Sequence, residues 1–156
     1  MAEGERQNEM KKDETTGRLD EILQNVRSDW DAESYIEEHG REVMDETFSS
    51  HFNSYVAAEG LDISEIIRLS GINKNYVYNI LNGHKHPGRD KIIALCIAAG
   101  MSARETGRTL KTSGYSPLYS KDERDIRITI CINNGMNNVT DVNIYLDEHG
   151  VKPLDV

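Results

Sequence analysis

From Thr47 onward a glycine follows almost every short apolar run, and this punctuation constrains the fold more than any other feature. Gly60, Gly71, Gly83, Gly100 and Gly150 each close a segment whose apolar side chains recur at helical spacing. The first segment, about 47–58, carries Phe48, Phe52, Tyr55 and Val56 on one side. The next opens with Asp62-Ile-Ser-Glu65, a capping-box spacing in which Asp62 is expected to accept the amide of the third helical residue. Asn73 is the expected cap of a helix to about Asn82, with Val77, Ile80 and Leu81 facing inward. Pro87-Gly88 precedes a strongly apolar helix through Ile92, Ile93, Leu95, Cys96 and Ile97. Ser102 with Glu105, and Ser120 with Glu123, have capping-box spacing and open helices to about Thr112 and Asn134. A last helix is expected over about 138–148. Only Ile126 to Ile132 alternates with period two, and a lone strand has no pairing partner, so it too reads as helix. The fold class is all-α.

Ahead of this stretch the composition changes. Residues 1–17 have almost no apolar side chains and cannot offset the entropy of ordering, so they read as a disordered acidic tail. Residues 18–46 carry Leu19, Ile22, Leu23, Val26 and Trp30 along one helical face and read as an acidic helical segment. The main domain then spans 47–112, and a C-terminal helical extension spans 113–156. The whole chain of 156 residues has a formal charge of −9, which excludes a uniformly basic nucleic-acid coat. The charge is unevenly placed: residues 1–46 alone sum to −9, residues 47–120 to +3 and residues 121–156 to −3. Cys96 and Cys131 lie in apolar runs without metal-site spacing, as expected of buried thiols in a reducing cytoplasm. The N-terminus lacks the apolar core of a signal peptide, and the longest apolar run, residues 92–99, is too short to span a bilayer. The expected location is cytoplasmic, with no membrane partner.

Residues 61–87, LDISEIIRLSGINKNYVYNILNGHKHP, combine a short helix, a turn at Gly71 and a second short helix. That is the spacing of a helix-turn-helix, in which the first helix crosses the DNA backbone and the second enters the major groove. Ile66, Ile67, Ile72, Val77 and Ile80 are placed to lock the two helices at their crossing. On the second helix, Asn can pair bidentately with adenine and Lys can donate to guanine. A solvated helix face is the plainer reading of the same residues, and for Asn73 it is a helix cap.

With Ile66, Ser70-Gly71-Ile72, Val77-x-x-Ile80, Asn82-Gly83, Pro87 and the run closing in Ala-Ala-Gly-Met-Ser102, the chain resembles the XRE-type, phage-repressor-like helix-turn-helix regulators. The likeness covers five helices from about Thr47 to Lys111 and extends to a group from Gram-positive bacteria with added helices at both ends. The resemblance implies base contacts from Lys74, Asn75, Tyr78 and Asn79. The loop after the second helix would lie beside the backbone, so that Asn82, Lys85 and Arg89, with Asn73, are the expected phosphate contacts. One departure matters: many members of the family begin the first helix of the motif with a phosphate-anchoring Gln, where this chain has Ile63. Loss of that anchor, with a net charge of only +3 in the region, implies modest affinity and a shallow salt dependence.

The expected function is therefore sequence-specific regulation of transcription, with double-stranded DNA as partner and a homodimer reading two half-sites. The alternative is a protein-interaction adaptor that keeps the fold, with Thr15 and Thr16 beside Asp13 and Glu14 as acceptors for a Ser/Thr kinase. No enzyme is expected, since the chain has no Gly-rich phosphate loop, nucleophile elbow or His-Glu-x-x-His. No cofactor or metal is expected either: His84 and His86 have no third ligand nearby in sequence and read as a solvated turn.

Overall fold

Seven helices and no strand make up the described residues, which in this computed structural model are 47–156 together with Leu23. The chain divides into two units, Met1–Asp45 and Glu46–Val156, and the helices named below all belong to the second. The expected tail, the acidic helical segment (apart from Leu23, which is helical) and Thr15 and Thr16 lie outside the described residues. No helix among the described residues is long and apolar enough to cross a membrane.

The helices are α1 (Phe48–Glu59), α2 (Ile63–Ser70), α3 (Lys74–Leu81), α4 (Arg89–Ala98), α5 (Ala103–Thr112), α6 (Glu123–Asn133) and α7 (Val139–Glu148). Their starts follow the capping chemistry, with two corrections to the sequence reading. Asp62 caps α2 through the amide of Ser64, the second helical residue, and Glu65 turns instead to Arg68, so the expected box does not close. α6 begins at Glu123 because Asp122 caps it, accepting from the Asp125 amide at 2.8 Å. Ser120 is left in the preceding turn, outside the helix it was expected to open. Ser102 and Glu105 do form the reciprocal box at the start of α5.

The helix α4 is the hub. Every residue from Ile92 to Ala98 is buried, which a helix tolerates only when neighbours cover all its sides. It packs against α2, α5 and α7; α1 lies on α3 and α5; and α6 packs on both α5 and α7. Phe52, Val77, Ile80, Ile92, Ile93, Leu95, Leu110, Ile128, Val142 and Leu146 fall in one continuous core. Each such aliphatic or aromatic side chain contributes about 1.5–3 kcal/mol on burial. The segment with period-two alternation is helical within α6: Ile128, Cys131 and Ile132 face the core, and Ile126 and Ile130 face outward. Residues beyond Thr112 thus share the same core as those before it. The thiols of Cys96 and Cys131 are both free and buried.

A crossed pair of ion pairs ties α4 to α6. Each helix opens with an Arg-Asp dipeptide at or near its first turn, and the two dipeptides exchange partners. Arg89 grips both oxygens of Asp125 (2.8 and 3.1 Å) and donates to the carbonyls of Ser116 and Pro117. Arg124 grips both oxygens of Asp90 (2.9 and 3.0 Å) and donates to the carbonyls of Lys152 and Pro153. Asp125 also accepts the Tyr119 amide, and Asp90 the Asp155 amide. Burial pushes the Asp90 carboxyl up, but the Arg124 guanidinium and the Asp155 amide outweigh it and hold that carboxyl below the usual Asp range. The same pairing holds the Arg124 guanidinium above its usual value. Bidentate Arg–carboxylate pairs fix orientation as well as distance. The loop 113–122 and the tail 151–155 are therefore fastened onto α4.

Candidate nucleic-acid interface

The surface begins with the turn between α2 and α3. Gly71 has φ +71°, the left-handed region that a side chain disfavours, and it lets the chain reverse within three residues. Ser70, fully buried, donates from its hydroxyl to the Ile67 carbonyl and accepts the Ile72 amide, so the turn is held from inside. Asn73 then caps α3: its side-chain oxygen accepts from the amides of Asn75 and Tyr76. That oxygen is committed to the cap, which leaves the Asn73 side-chain amide nitrogen as the group that can meet a phosphate.

α3 is seated by Val77 and Ile80, which are 0% and 1% exposed, with α1 packed beside it. Lys74, Asn75 and Tyr78 point away from this seat and are exposed. The Lys74 ammonium lies 6.0 Å from the Tyr78 ring, at the outer limit of a cation–π contact. Of the two tyrosines, Tyr76 is half-buried against the core and Tyr78 is the outward one. Asn79, expected on the outer face, is half-buried, and its main-chain carbonyl accepts the amides of both His84 and Lys85. It thus anchors the next loop as well as bordering the outward face.

That loop, residues 82–88, presents Asn82, His84, Lys85 and His86 to solvent. Its far end is fixed by the Tyr115 hydroxyl, which donates to the Pro87 carbonyl at 3.0 Å. Lys85 stands over the Tyr76 ring at 4.6 Å, and Lys91 over the same ring at 5.4 Å. Lys91 also donates to the Asp155 carbonyl at 3.3 Å.

Arg89 does not join this group. The sequence placed it among the phosphate contacts, but its guanidinium is turned inward onto Asp125, Ser116 and Pro117, and only 24% of the side chain is exposed. The physical reason is that Asp125 is itself 8% exposed at the side chain and demands a full countercharge, which α4 supplies from its first residue. Reasoning from sequence misses the reciprocal pair because the two dipeptides lie 35 positions apart. Their repetition, Arg89-Asp90 and Arg124-Asp125, is the signal that could have found it.

The resulting surface is a short helix with one ammonium, one amide and one phenol facing outward, at its first, second and fifth residues. A cationic loop lies at its other end. Such groups can hydrogen-bond base edges and place a positive charge against a phosphate. The N-terminal end of α3, with its partial positive charge, adds to the attraction for an anion. The chain matches no protein-family model, no curated protein and no solved structure, so the meaning of this surface rests on its own residues.

Proposed function

We propose that the chain is a sequence-specific, double-stranded-DNA-binding regulator of transcription, with α3 entering the major groove. In this reading α1 to α5 form a repressor-like helix-turn-helix domain, α2 crosses the backbone, and α6 and α7 brace the domain from behind. The observation that carries it is the outward set Lys74, Asn75 and Tyr78 on a helix whose opposite side is fully seated. None of the three has a packing role that would explain its place there. Lys74 and Asn75 read base edges, Tyr78 offers an apolar edge to a thymine methyl, and Asn79 borders them. Asn73, Asn82 and Lys85 meet phosphates on either side. Arg89 is withdrawn from this set.

With few cations facing the duplex, counterion release is small, and log Kd changes by only about 0.9 per neutralised phosphate for each tenfold change in salt. A single motif reads one half-site, so a homodimer on a pseudo-palindrome is part of the proposal. The test is a fluorescence-anisotropy titration of the full chain against the DNA upstream of its own gene, over a salt series. A binding selection from random duplexes runs in parallel. A selected motif that competes with the upstream DNA, and loses affinity in Asn75→Ala, is the expected result. Enrichment of no sequence, with equal weak binding to every duplex, overturns it.

A further inference from the structure

We propose that residues 151–156 are a strap that positions the α2–α3 turn and the first turn of α3; its consequence for DNA rests on the reading of α3 given above. The segment has no regular structure of its own. Even so, from the Lys152 carbonyl to the Asp155 carbonyl every main-chain donor and acceptor is met by a side chain. The Lys152 and Pro153 carbonyls accept from Arg124 of α6 at 2.7 and 2.9 Å. The Leu154 amide donates to Asn143 Oδ1 of α7 at 2.7 Å, and the Leu154 carbonyl accepts from Asn143 Nδ2 at 3.0 Å. The Asp155 amide donates to the Asp90 carboxylate at 3.0 Å and its carbonyl accepts from Lys91, both on α4. Irregular chain at a protein surface ordinarily leaves such groups to water. The Leu154 side chain, 3% exposed, anchors the segment in the shared core.

Two contacts then carry the segment to the reading unit. Val156 lies against the left-handed turn: a Cβ added at Gly71 would be 3.6 Å from Val156 Cγ2. Lys91, which holds the Asp155 carbonyl, stands 5.4 Å from the ring of Tyr76, the third residue of α3. Anchoring alone would need only Leu154; Val156 is 41% exposed and adds little to the core. The turn is thus held from inside by the Ser70 hydroxyl and from outside by the strap. Lys74 and Asn75 share the first turn of α3 with Tyr76, so displacing the strap shifts the groups offered to base edges.

The test is native-state hydrogen exchange on the full chain, with anisotropy on the selected duplex beside it. The reporter is the Ile72 amide, buried on the Ser70 hydroxyl at 3.1 Å. Val156→Ala deletes the contacting methyl from an exposed side chain, so its melting temperature should match the parent while Ile72 exchanges severalfold faster. Val156→Ile keeps the contact and behaves as the parent chain. Asn143→Ala frees the Leu154 main chain, and Ile72 should exchange about tenfold faster relative to the amides of α5. Affinity for the selected duplex then falls severalfold with an unchanged salt slope, because neither variant removes a charge. Circular dichroism confirms that each variant is folded. Unchanged exchange at Ile72 in both folded variants overturns the strap, as does an increase matched throughout α5, which reports general loss of stability. Faster exchange at Ile72 with undiminished affinity for the selected duplex overturns the positioning of α3. If the parent chain selects no sequence, the DNA reading fails alone, and exchange at Ile72 still decides the strap.

Discussion

Lys85 and Arg89 lie four positions apart, the first within the 82–88 loop and the second just past its end, and the molecule uses their charges in opposite ways. Lys85 stands in solvent over the Tyr76 ring, while Arg89 is consumed by Asp125 and two carbonyls. The difference comes from the surroundings of each residue. Among the described residues, Lys85 has no ion-pair partner and no buried acid on its own loop. Arg89 begins a helix that meets the N-terminus of α6, where Asp125 is buried and needs a countercharge. A cation near a candidate DNA surface is thus evidence of a phosphate contact only when no buried carboxylate competes for it.

The sharpest way to break this comparison is to remove the charge on each side. Arg89→Ala strands the Asp125 carboxylate, and breaking a buried pair by deleting one partner costs about 3–5 kcal/mol. The measurement is urea unfolding followed by circular dichroism. A midpoint in Arg89→Ala close to that of the parent chain contradicts the structural role given to this residue. Arg124→Ala should also destabilise, and by less, since Asp90 is 21% exposed at the side chain where Asp125 is 8%.

The outward face of α3 supplies the next largest effect. Asn75→Ala and Lys74→Ala should each cost about 1–3 kcal/mol in binding to the selected sequence and leave binding to unrelated DNA nearly unchanged. Their stability should remain close to that of the parent, because neither side chain is buried. Equal loss on all duplexes reassigns them to phosphate contacts. Loss on none leaves α3 without a reading role.

The crossed pairs also predict a response to acid. The Asp90 carboxyl is held below its ordinary value when folded, so it binds fewer protons than in the unfolded chain at mildly acidic pH. Its contribution is complete above the unfolded Asp value of about 3.9 and is lost as pH falls through the lower, folded value. In Asp90→Asn, stability at neutral pH is lower and the decline below about pH 4 is shallower than in the parent. An unchanged slope removes Asp90 from the acid response. By contrast, burial pushes the Cys96 thiol up to about 12, so native protein at pH 8 should resist alkylation there until it unfolds.

Much of this architecture is legible in the sequence, and the exceptions have one cause. Helix spacing and glycine stops follow from local chemistry, so α1 to α7 emerge close to their observed bounds, and Asn73 caps α3 as its type and place dictate. The face of α3 is legible because Val77 and Ile80 define its seat. Hidden from the sequence is everything that depends on partners distant along the chain: the withdrawal of Arg89 and the bond from Lys91 to the Asp155 carbonyl. Asp62 and Ser120 show the smaller version of the same limit. In the first, Arg68 competes for the capping glutamate; in the second, Asp122 stands nearer the helix start.

The smallest effect is the most discriminating. Lys85→Ala removes an exposed ammonium whose contact with Tyr76 lies at the surface, so its change in stability should stay within about 0.5 kcal/mol. On DNA, deleting one phosphate contact should weaken all duplexes alike and reduce the slope of log affinity against log salt by about one. Arg89→Lys is the matched control. It keeps the charge but cannot reproduce the bidentate grip on Asp125, so it should destabilise the fold without altering the salt slope. If Arg89→Lys changes the slope while Lys85→Ala does not, the cation meeting the phosphate is the one at the helix start, and the two roles are reversed.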